Sequence, residues 1–584
     1  MALIDPKVSP DALVEQQPVI GIIGMGSMGR MYARRLAEAG WRKIYVCDQL
    51  EKYEALKEEF QDDTSLRVLP DGHAVSRAAD FIMYSVEAAF IGRVVAQYGP
   101  STKVGAIVAG QTSVKAPEKE AFETHLPPDT YIVSCHSLHG PTVSPVGQPL
   151  ILIQHRAPDW ALHLVESILR PFKSRYVYLS YDEHDLITAN TQAVTHAAFL
   201  SMGTAWHSRR AYPWSAGQGH YTRGIETVKV NLTHRIYANL WHVYAGLAIL
   251  NPHARLQIEQ YARSATELFE LMVVGGGGGD GQAEGERELR RRVRWAGEVV
   301  FGTEAFADES DDAPHDTDTS GEVDGNGIAS RNASENCNGT ANANATGHAT
   351  GAPGPRKANP KARRRRPILL SEDILDQFSM APRTPSPSSS TPQSSNSLSA
   401  SPTTQQEQQL GKQKPNSHLS LLAMVDCWAH LGINPFHHLD LAATPLFRLF
   451  LGVAEHLFLS RPRHHNDLGR DNNAINTANG HANGSDKPNT SSDTNSRSVL
   501  AAALDSALHD TWHRADDLEF VVAARGWSQC VTFGDFDAFR RRFEGTRAFF
   551  EGRFKEASVL GERMIRAVME DAGGERDESK EEDA

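Results

Sequence analysis

Six residues, Gly24-Met25-Gly26-Ser27-Met28-Gly29, constrain what this chain can fold into more than any others. They follow an apolar, β-branched run at 19–23 and precede a segment whose Met31, Ala33, Leu36 and Ala37 fall at helical spacing before Gly40. A buried parallel strand that turns at once into a helix has this pattern. The glycines permit a tight turn and close backbone approach, and the helix N-terminus favours a pyrophosphate, so dinucleotide binding is expected. Asp48 closes the second strand candidate, 44–47, where a carboxylate would meet the adenosine 2′-hydroxyl and favour NAD. Arg30, Arg42, Lys43 and Lys52 are near enough in sequence to meet a 2′-phosphate instead, which would favour NADP.

Further strand candidates lie at 81–86, 104–108, 131–134, 150–153 and 176–179, most of them separated by helical stretches. That alternation belongs to a doubly wound α/β sheet. After Ser180 the strand signal stops, and 184–206, 227–250 and 254–272 read as helices. The fold class is therefore an α/β Rossmann-type N-terminal domain followed by an all-α domain with long disordered inserts.

A length of 584 residues would suggest three or four domains at about 150 residues each. The polar residues behind the mean hydropathy of −0.41 are concentrated, however, in Ser-, Asn-, Gly-, Pro- and Thr-rich stretches. Those stretches cannot bury enough apolar surface to offset chain entropy, so they are expected to be disordered. The chain divides into a dinucleotide-binding domain at 18–180, a helical domain in three pieces at 181–274, 418–460 and 498–570, disordered inserts at 275–417 and 461–497, and an acidic tail at 571–584. Within the first insert, 286–300 has a helical pattern and 368–378 is an apolar island. No apolar run approaches the ~20 residues of a membrane helix, and the first residues carry no signal-peptide pattern, so a cytoplasmic protein is expected. A net charge of −13 argues against nucleic acid as a partner. Five cysteines without CxxC spacing suggest neither a disulfide framework nor zinc.

Three more clusters follow strands or lie on helices. Gly110-Gln111-Thr112-Ser113-Val114-Lys115 follows the 104–108 strand, where strand ends face a ligand crevice, so Ser113 and Lys115 are placed to meet cofactor or substrate. His136-Ser137-Leu138-His139-Gly140-Pro141 follows the next strand. A histidine there can take a proton from a substrate hydroxyl, whereas no carboxylate or cysteine completes a metal set with His139. On the 184–206 helix, Gln192 and His196 are four apart and share one face, which would look into an interdomain cleft.

These motifs, GMGSMG, GQTSVK, HSLHGP, DEHDLITANTQAVTHAAFLSMGTAW and HRIYANLWHVYAGLAILNP, together resemble prephenate dehydrogenase of the fungal type. The likeness covers about 19–272 and continues through the helical pieces after 418. It implies oxidative decarboxylation of prephenate to 4-hydroxyphenylpyruvate, on the route to tyrosine, by a homodimer joined through its helices. The resemblance also implies NADP, which takes precedence over the NAD suggested by Asp48. His136 would accept the proton of the ring hydroxyl while hydride leaves the same carbon, with Ser113 orienting that hydroxyl. His196, Gln192 and Lys115 would line the substrate pocket, and His184 would support the helix and domain junction. Gly24, Met25, Gly26, Ser27, Met28, Gly29, Arg30 and Asp48 would hold the cofactor. Where the family commonly places a carboxylate-binding arginine the chain has Thr227; Lys229, Arg223 and Arg235 are the nearby cations, and Lys229 is taken for that role.

Three other readings start from the same residues. Arogenate differs from prephenate only in its side chain and would suit the same chemistry. GMGSMG is also similar to the signature of β-hydroxyacid dehydrogenases, but their interdomain-helix lysine has no counterpart between Asp182 and Trp206. A catalytically silent NADP-sensing scaffold is the third, and Ser113, His136 and His196 count against it.

Overall fold

Isoleucines at alternate positions on both faces make β1 (Ile20–Ile23) a strand buried along its whole length. The computed structural model describes residues 4–212, 224–303, 306, 369–370, 375, 416–442, 444–460, 498–510, 514–564 and 566–567. Most of the expected inserts and the acidic tail lie outside the described residues. Beside β1 come β2 (Ile44–Cys47), β3 (Leu66–Val68), β4 (Phe81–Tyr84), β5 (Ile107–Gly110), β6 (Tyr131–Ser137), β7 (Pro149–Arg156) and β8 (Arg175–Tyr178). They form one sheet in the order β3-β2-β1-β4-β5-β6-β7-β8. The first six are parallel, β7 runs antiparallel to β6, and β8 is parallel to β7. The strand order reverses between β1 and β4, with β2 and β3 laid to one side and β4 to β8 to the other, so the strand ends at that point frame a ligand crevice.

The sheet departs from the sequence reading in three places. β3 carries no sequence signature, because three residues with one exposed arginine between Leu66 and Val68 show no period. β5 starts at Ile107 rather than 104 because Gly105 takes a φ of +70°, which breaks an extended run. No helix crosses between β6 and β7, so the return strand is antiparallel.

Helices α1 (Ser27–Glu38), α2 (Tyr53–Glu59), α3 (Gly72–Ala78), α4 (Ile91–Tyr98), α5 (Ala116–His125) and α6 (Asp159–Leu169) alternate with the strands. One buried cluster joins Ile20, Ile22, Phe81, Met83, Val133 and Cys135 to Leu36 of α1 and Ile168 of α6. The other joins Ile23, Ile82, Tyr84, Val108 and Ile132 to Val75 of α3, Val95 of α4 and Phe122 of α5. Gly21 matters on that second face: a Cβ there would stand 2.6 Å from Val75 Cγ1, so glycine lets α3 pack close.

Among the described residues from Ser180 onward the elements are helices: α7 (Tyr181–Thr188), α8 (Val194–Arg209), α9 (Ile225–Ala238), α10 (Trp241–Leu250), α11 (Pro252–Gly275) and α12 (Gln282–Phe301). After residue 416 come α13 (Leu419–His430), α14 (Pro445–Leu459), α15 (Val499–His509), α16 (Arg514–Thr532) and α17 (Phe536–Phe550), with a short helical turn at Leu439–Ala442. The sheet and these helices belong to one compact unit, 1–305 and 368–584; a second, 306–367, lies almost wholly outside the described residues. Among the described residues no helix is long and apolar enough to cross a membrane.

Three corrections concern the helices, the first being that the expected 227–250 helix is two, α9 and α10, broken at the extended residues Asn239 and Leu240. The expected 184–206 helix begins at Tyr181, where Ser180 and Glu183 form a reciprocal capping box. A π-helical turn, Ala189–Ala193, separates α7 from α8, and Asn190 within it accepts a hydrogen bond from Gln257 Nε2 at 2.6 Å. The first part of the 275–417 insert is also folded. Leu289, Val293, Ala296 and Val300 of α12 are buried at helical spacing, and α12 packs on α11 and α13. Its Arg292 donates two hydrogen bonds of 2.8 Å to Asp426, which is 1% exposed. In the 368–378 island, Leu370 and Leu375 are buried and the Leu369 N–H donates to Glu455 at 2.7 Å.

Candidate active site

The loop after β1 is shaped by backbone rather than side chains. Gly24 has a φ of +102°, and a Cβ on it would stand 2.3 Å from the Ser85 carbonyl oxygen. On Gly29 a Cβ would stand 2.1 Å from the Gly24 oxygen. Gly26 is different: nothing lies within 4 Å of where its Cβ would project. It is also the N-cap of α1 and offers the helix no side-chain cap. An open cradle that a Cβ would fill, at a helix start with free N–H groups, fits a dinucleotide pyrophosphate. Met25, Ser27 and Met28 complete this loop.

Asp48 closes the cradle at the adenosine end. Its carboxylate accepts the Met25 N–H at 3.0 Å and the Gln49 N–H at 2.7 Å, and pairs with Lys52 at 3.2 Å. Arg30, in the first turn of α1, is held in a two-pronged pair by Glu59, with contacts of 2.8–2.9 Å. Arg42 and Lys43 precede β2 and so sit at the opposite end of that strand from Asp48. Arg42 donates to Ser65 at 2.8 Å and Lys43 to the Glu15 carbonyl at 3.4 Å, which removes both as partners of a 2′-phosphate.

The loop from β5 to α5 holds Ser113 half-buried between buried Thr112 and Val114. Lys115 departs from expectation, because it does not face the crevice at all. It is 0% exposed, and its Nζ donates to both oxygens of Glu118 (3.0 and 2.9 Å), to the Gly110 and Cys135 carbonyls (3.0 Å each) and to Ser134 Oγ (3.0 Å). A buried ammonium survives only when paired and fully hydrogen-bonded, so this cation is committed to pinning β5, β6 and α5 together. The backbone of the same loop reaches the helical part: the Lys115 and Ala116 N–H groups donate to Asp185 Oδ1 and Oδ2 at 2.8 and 2.7 Å.

His136 lies on the same face of β6 as Ser134, opposite Ile151 of β7. Its Nδ1 stands 2.7 Å from Nε2 of His184, whose Nδ1 stands 2.9 Å from Asp185 Oδ1. His184 thus touches His136 directly, a contact that no spacing could reveal because the two are on different elements. Burial first, and then the neighbouring His184 and Lys115, hold His136 well below the ordinary histidine pKa. The same forces of burial and Lys115 act on His184. His136 is 8% exposed and His184 0%, so of the two only His136 can meet a ligand. Among the described residues no three His, Cys, Asp or Glu side chains converge as metal ligands would.

On the helical side, Gln192 falls within the π turn and His196 in the first turn of α8; both are half-buried. His196 packs edge-on to Tyr244 of α10, with ring centroids 4.9 Å apart, above a small apolar cavity bounded by Leu200, Leu247, Trp527 and Phe539. Burial drives its pKa down to about 3, and its Nδ1 is buried without a hydrogen-bond partner among the described residues.

The expected carboxylate-binding lysine is the second departure. Lys229 is 5% exposed and pairs with Glu226 at 2.7 Å, and Glu226 also meets His418 at 3.1 Å. Its charge is spent inside the helical bundle, while Thr227 is fully buried. Arg223 lies outside the described residues. Arg235 is half-buried on α9, makes no ion pair or hydrogen bond among the described residues, and is pulled below its ordinary pKa mainly by burial, with Tyr244 acting in the opposite sense.

Comparison with known proteins accounts for both halves. A family described as a 6-phosphogluconate dehydrogenase C-terminal domain matches residues 193–313, 357–477 and 493–570. The family described as NADP oxidoreductase, coenzyme F420-dependent, matches 19–109. The probable prephenate dehydrogenase (NADP+) of Schizosaccharomyces pombe is 42% identical over 94% of this chain and 97% of that protein. The prephenate dehydrogenase (NADP+) of Saccharomyces cerevisiae is 41% identical over 94% of each. A crystal structure of prephenate dehydrogenase from Aquifex aeolicus is 20% identical, covering 47% of this chain and 98% of that one, at a TM-score of 0.35, a likeness too slight to transfer geometry. With the two fungal identities sustained along nearly the whole of each protein, this chain belongs to the NADP-dependent prephenate dehydrogenase family, of the fungal type.

Proposed function

We infer that this chain oxidises and decarboxylates prephenate to 4-hydroxyphenylpyruvate with reduction of NADP, a step of tyrosine biosynthesis. The observation that carries this reading is the 42% identity over 94% of the chain to a protein of that name. Gly24–Gly29, Asp48, Lys52 and Arg30 would hold NADP, which would supply the hydride acceptor. His136 takes the proton from the ring hydroxyl as the hydride leaves the same carbon, and as carbon dioxide departs the ring keeps the electron pair of the broken C–C bond and becomes aromatic. Ser113 orients that hydroxyl, and Gln192 and His196 line the pocket. In place of Lys229, Arg235 supplies the charge that pairs with a substrate carboxylate, because its guanidinium is partly buried and uncommitted.

The proposed dinucleotide domain spans 18–180 and the helical domain 181–274, 418–460 and 498–570, to which α12 is now added. The working form is a cytoplasmic homodimer joined through the helices, which sedimentation would test.

The deciding experiment follows NADP and NAD reduction with prephenate and arogenate in parallel. Rapid NADP reduction with prephenate is expected, and reduction with neither substrate overturns the reading. His136→Asn should abolish turnover while NADP affinity stays within about two-fold, since only the proton acceptor is lost. Arg235→Met should raise the prephenate KM about 10- to 100-fold, the equivalent of roughly 1.4–3 kcal/mol of charge-assisted hydrogen bonding.

A further inference from the structure

The chain of hydrogen bonds ending at His136 determines where its protons sit. Asp185 receives a backbone N–H on each oxygen, from Lys115 at 2.8 Å and from Ala116 at 2.7 Å. Burial raises the Asp185 pKa above the ordinary carboxylate value, and the two backbone bonds together with the nearby Lys115 charge oppose that rise and favour the ionised carboxylate. Facing that acceptor at 2.9 Å, Nδ1 of His184 carries a hydrogen. Burial and the Lys115 ammonium keep the His184 ring neutral, so its Nε2 is a bare lone pair. At 2.7 Å, that lone pair is satisfied only by an N–H on Nδ1 of His136. His136 is also held neutral, so its one hydrogen is already placed and its Nε2 is bare.

We propose that His184 and Asp185 are positioning residues that lock His136 in the single tautomer whose Nε2 can accept the substrate hydroxyl proton. This rests on His136 being the base. As the substrate O–H bond breaks, its proton binds Nε2, the freed electron pair on oxygen forms the C=O bond, and the hydride leaves the same carbon for the NADP that would act as its acceptor. No proton moves along the chain. The positive charge formed on His136 faces, through His184, the Asp185 carboxylate, which stays ionised throughout. The same carboxylate holds the backbone of the loop that carries Ser113, so one side chain sets the orientation of both groups meeting the hydroxyl.

Two substitutions at one position isolate the tautomer from simple packing. In His184→Gln the carboxamide reaches the place of Nε2 and can still accept from His136; in His184→Asn it reaches only the place of Nδ1. The asparagine variant should lose about 100-fold or more in kcat, the scale of a wrong tautomer in other Asp–His pairs, with prephenate KM and NADPH affinity within about three-fold. The glutamine variant should keep kcat within about ten-fold of wild type. Equal kcat in the two variants, whether both near wild type or both lost, overturns the proposal.

A reading independent of either variant's folding comes from the wild-type pH profile. The titratable or charged neighbours of His136 are His184 on α7, Lys115 before α5 and His139 beyond β6, and all three lower its pKa. Because the folded pKa is depressed, the base stays neutral as pH falls through 6.5, and kcat/KM should be flat from about pH 8 to about pH 6. An acid limb at or above about pH 6.5 overturns the proposal. The two layers fail separately. Normal turnover by His136→Asn removes the base itself, whereas a dead His136→Asn beside matching His184 variants removes only the tautomer lock.

Discussion

The sheet half of this enzyme is written without interruption, and the helical half is written in pieces. Among the described residues, every strand and its flanking helices fall between Ile20 and Tyr178. The helical half joins chain segments far apart: Trp527 donates to Thr204 at 3.0 Å across 323 residues, and Tyr261 to the Ser420 carbonyl at 3.2 Å across 159. The cost of closing a flexible loop grows with the logarithm of its length, only about 0.6 kcal/mol per doubling. A helical bundle therefore tolerates long insertions between helices, provided that the buried faces on either side remain. A parallel sheet offers fewer such places, because each crossover helix also covers the sheet.

The comparison breaks most visibly if an insert is cut at its compositional edge. Deleting 275–417 removes α12 together with the polar stretch. It takes away buried Leu289, Val293 and Val300, each worth about 1.5–3 kcal/mol, and strands Asp426 without its guanidinium at a cost of about 3–5 kcal/mol. That sum matches the whole stability of an ordinary domain, about 5–15 kcal/mol. The expected result is a protein whose helical half no longer unfolds cooperatively, read by circular dichroism during thermal melting. Cooperative melting near the wild-type temperature would mean that α12 is dispensable. A smaller break comes from Arg292→Met, which leaves the rest of α12 in place. With Asp426 only 1% exposed, loss of its partner should cost about 3 kcal/mol in denaturant unfolding, because the remaining His430 contact is longer, at 3.4 Å.

What can be read from residues alone follows the same division. Strand–turn–helix logic locates β1, α1 and Asp48 because each signal is local: β-branched run, glycines, helical spacing. It also singles out His136, although β6 runs on through it to Ser137 instead of stopping at Ser134. Lys115 reads from sequence as a substrate contact, and wrongly, because its partners Glu118, Ser134 and Cys135 lie on two elements that converge only in the folded sheet. Lys229 misleads for a similar reason, since only folding shows that Glu226 consumes its charge and brings His418 alongside. Charge in a sequence advertises a ligand, but burial decides whether a neighbour has already claimed it. The apolar period of α12 is legible as a helical pattern at 286–300, but that it packs on α11 and α13 is not, because α13 lies far away in the chain.

Gly26→Ala sharpens the comparison on the sheet side, because there a single methyl separates folding from function. Nothing lies within 4 Å of the added Cβ, so stability should change by less than about 0.5 kcal/mol. The methyl instead projects into the cradle where the pyrophosphate must approach the backbone, and NADP binding should weaken at least about ten-fold, or ~1.4 kcal/mol. Fluorescence titration with NADPH beside a thermal melt reads both quantities. A variant with unchanged affinity would show that the cofactor does not lie against this loop.

The smallest effect belongs to the second insert. Removing 461–497 and joining Ser460 to Ser498 through a short glycine–serine linker takes away a stretch of Asn, Asp, Ser and Gly with few apolar residues. α14 ends at Leu459 and α15 begins at Val499, so both helices keep their buried faces. Shortening the loop several-fold stabilises the folded chain by about 1–2 kcal/mol at most, since each halving is worth about 0.6 kcal/mol. The melting temperature should therefore stay the same or rise by a few degrees, and kcat and KM should not move. A fall in melting temperature would mean that residues of this stretch pack against the helices, and the contrast with 275–417 would then be one of degree rather than kind.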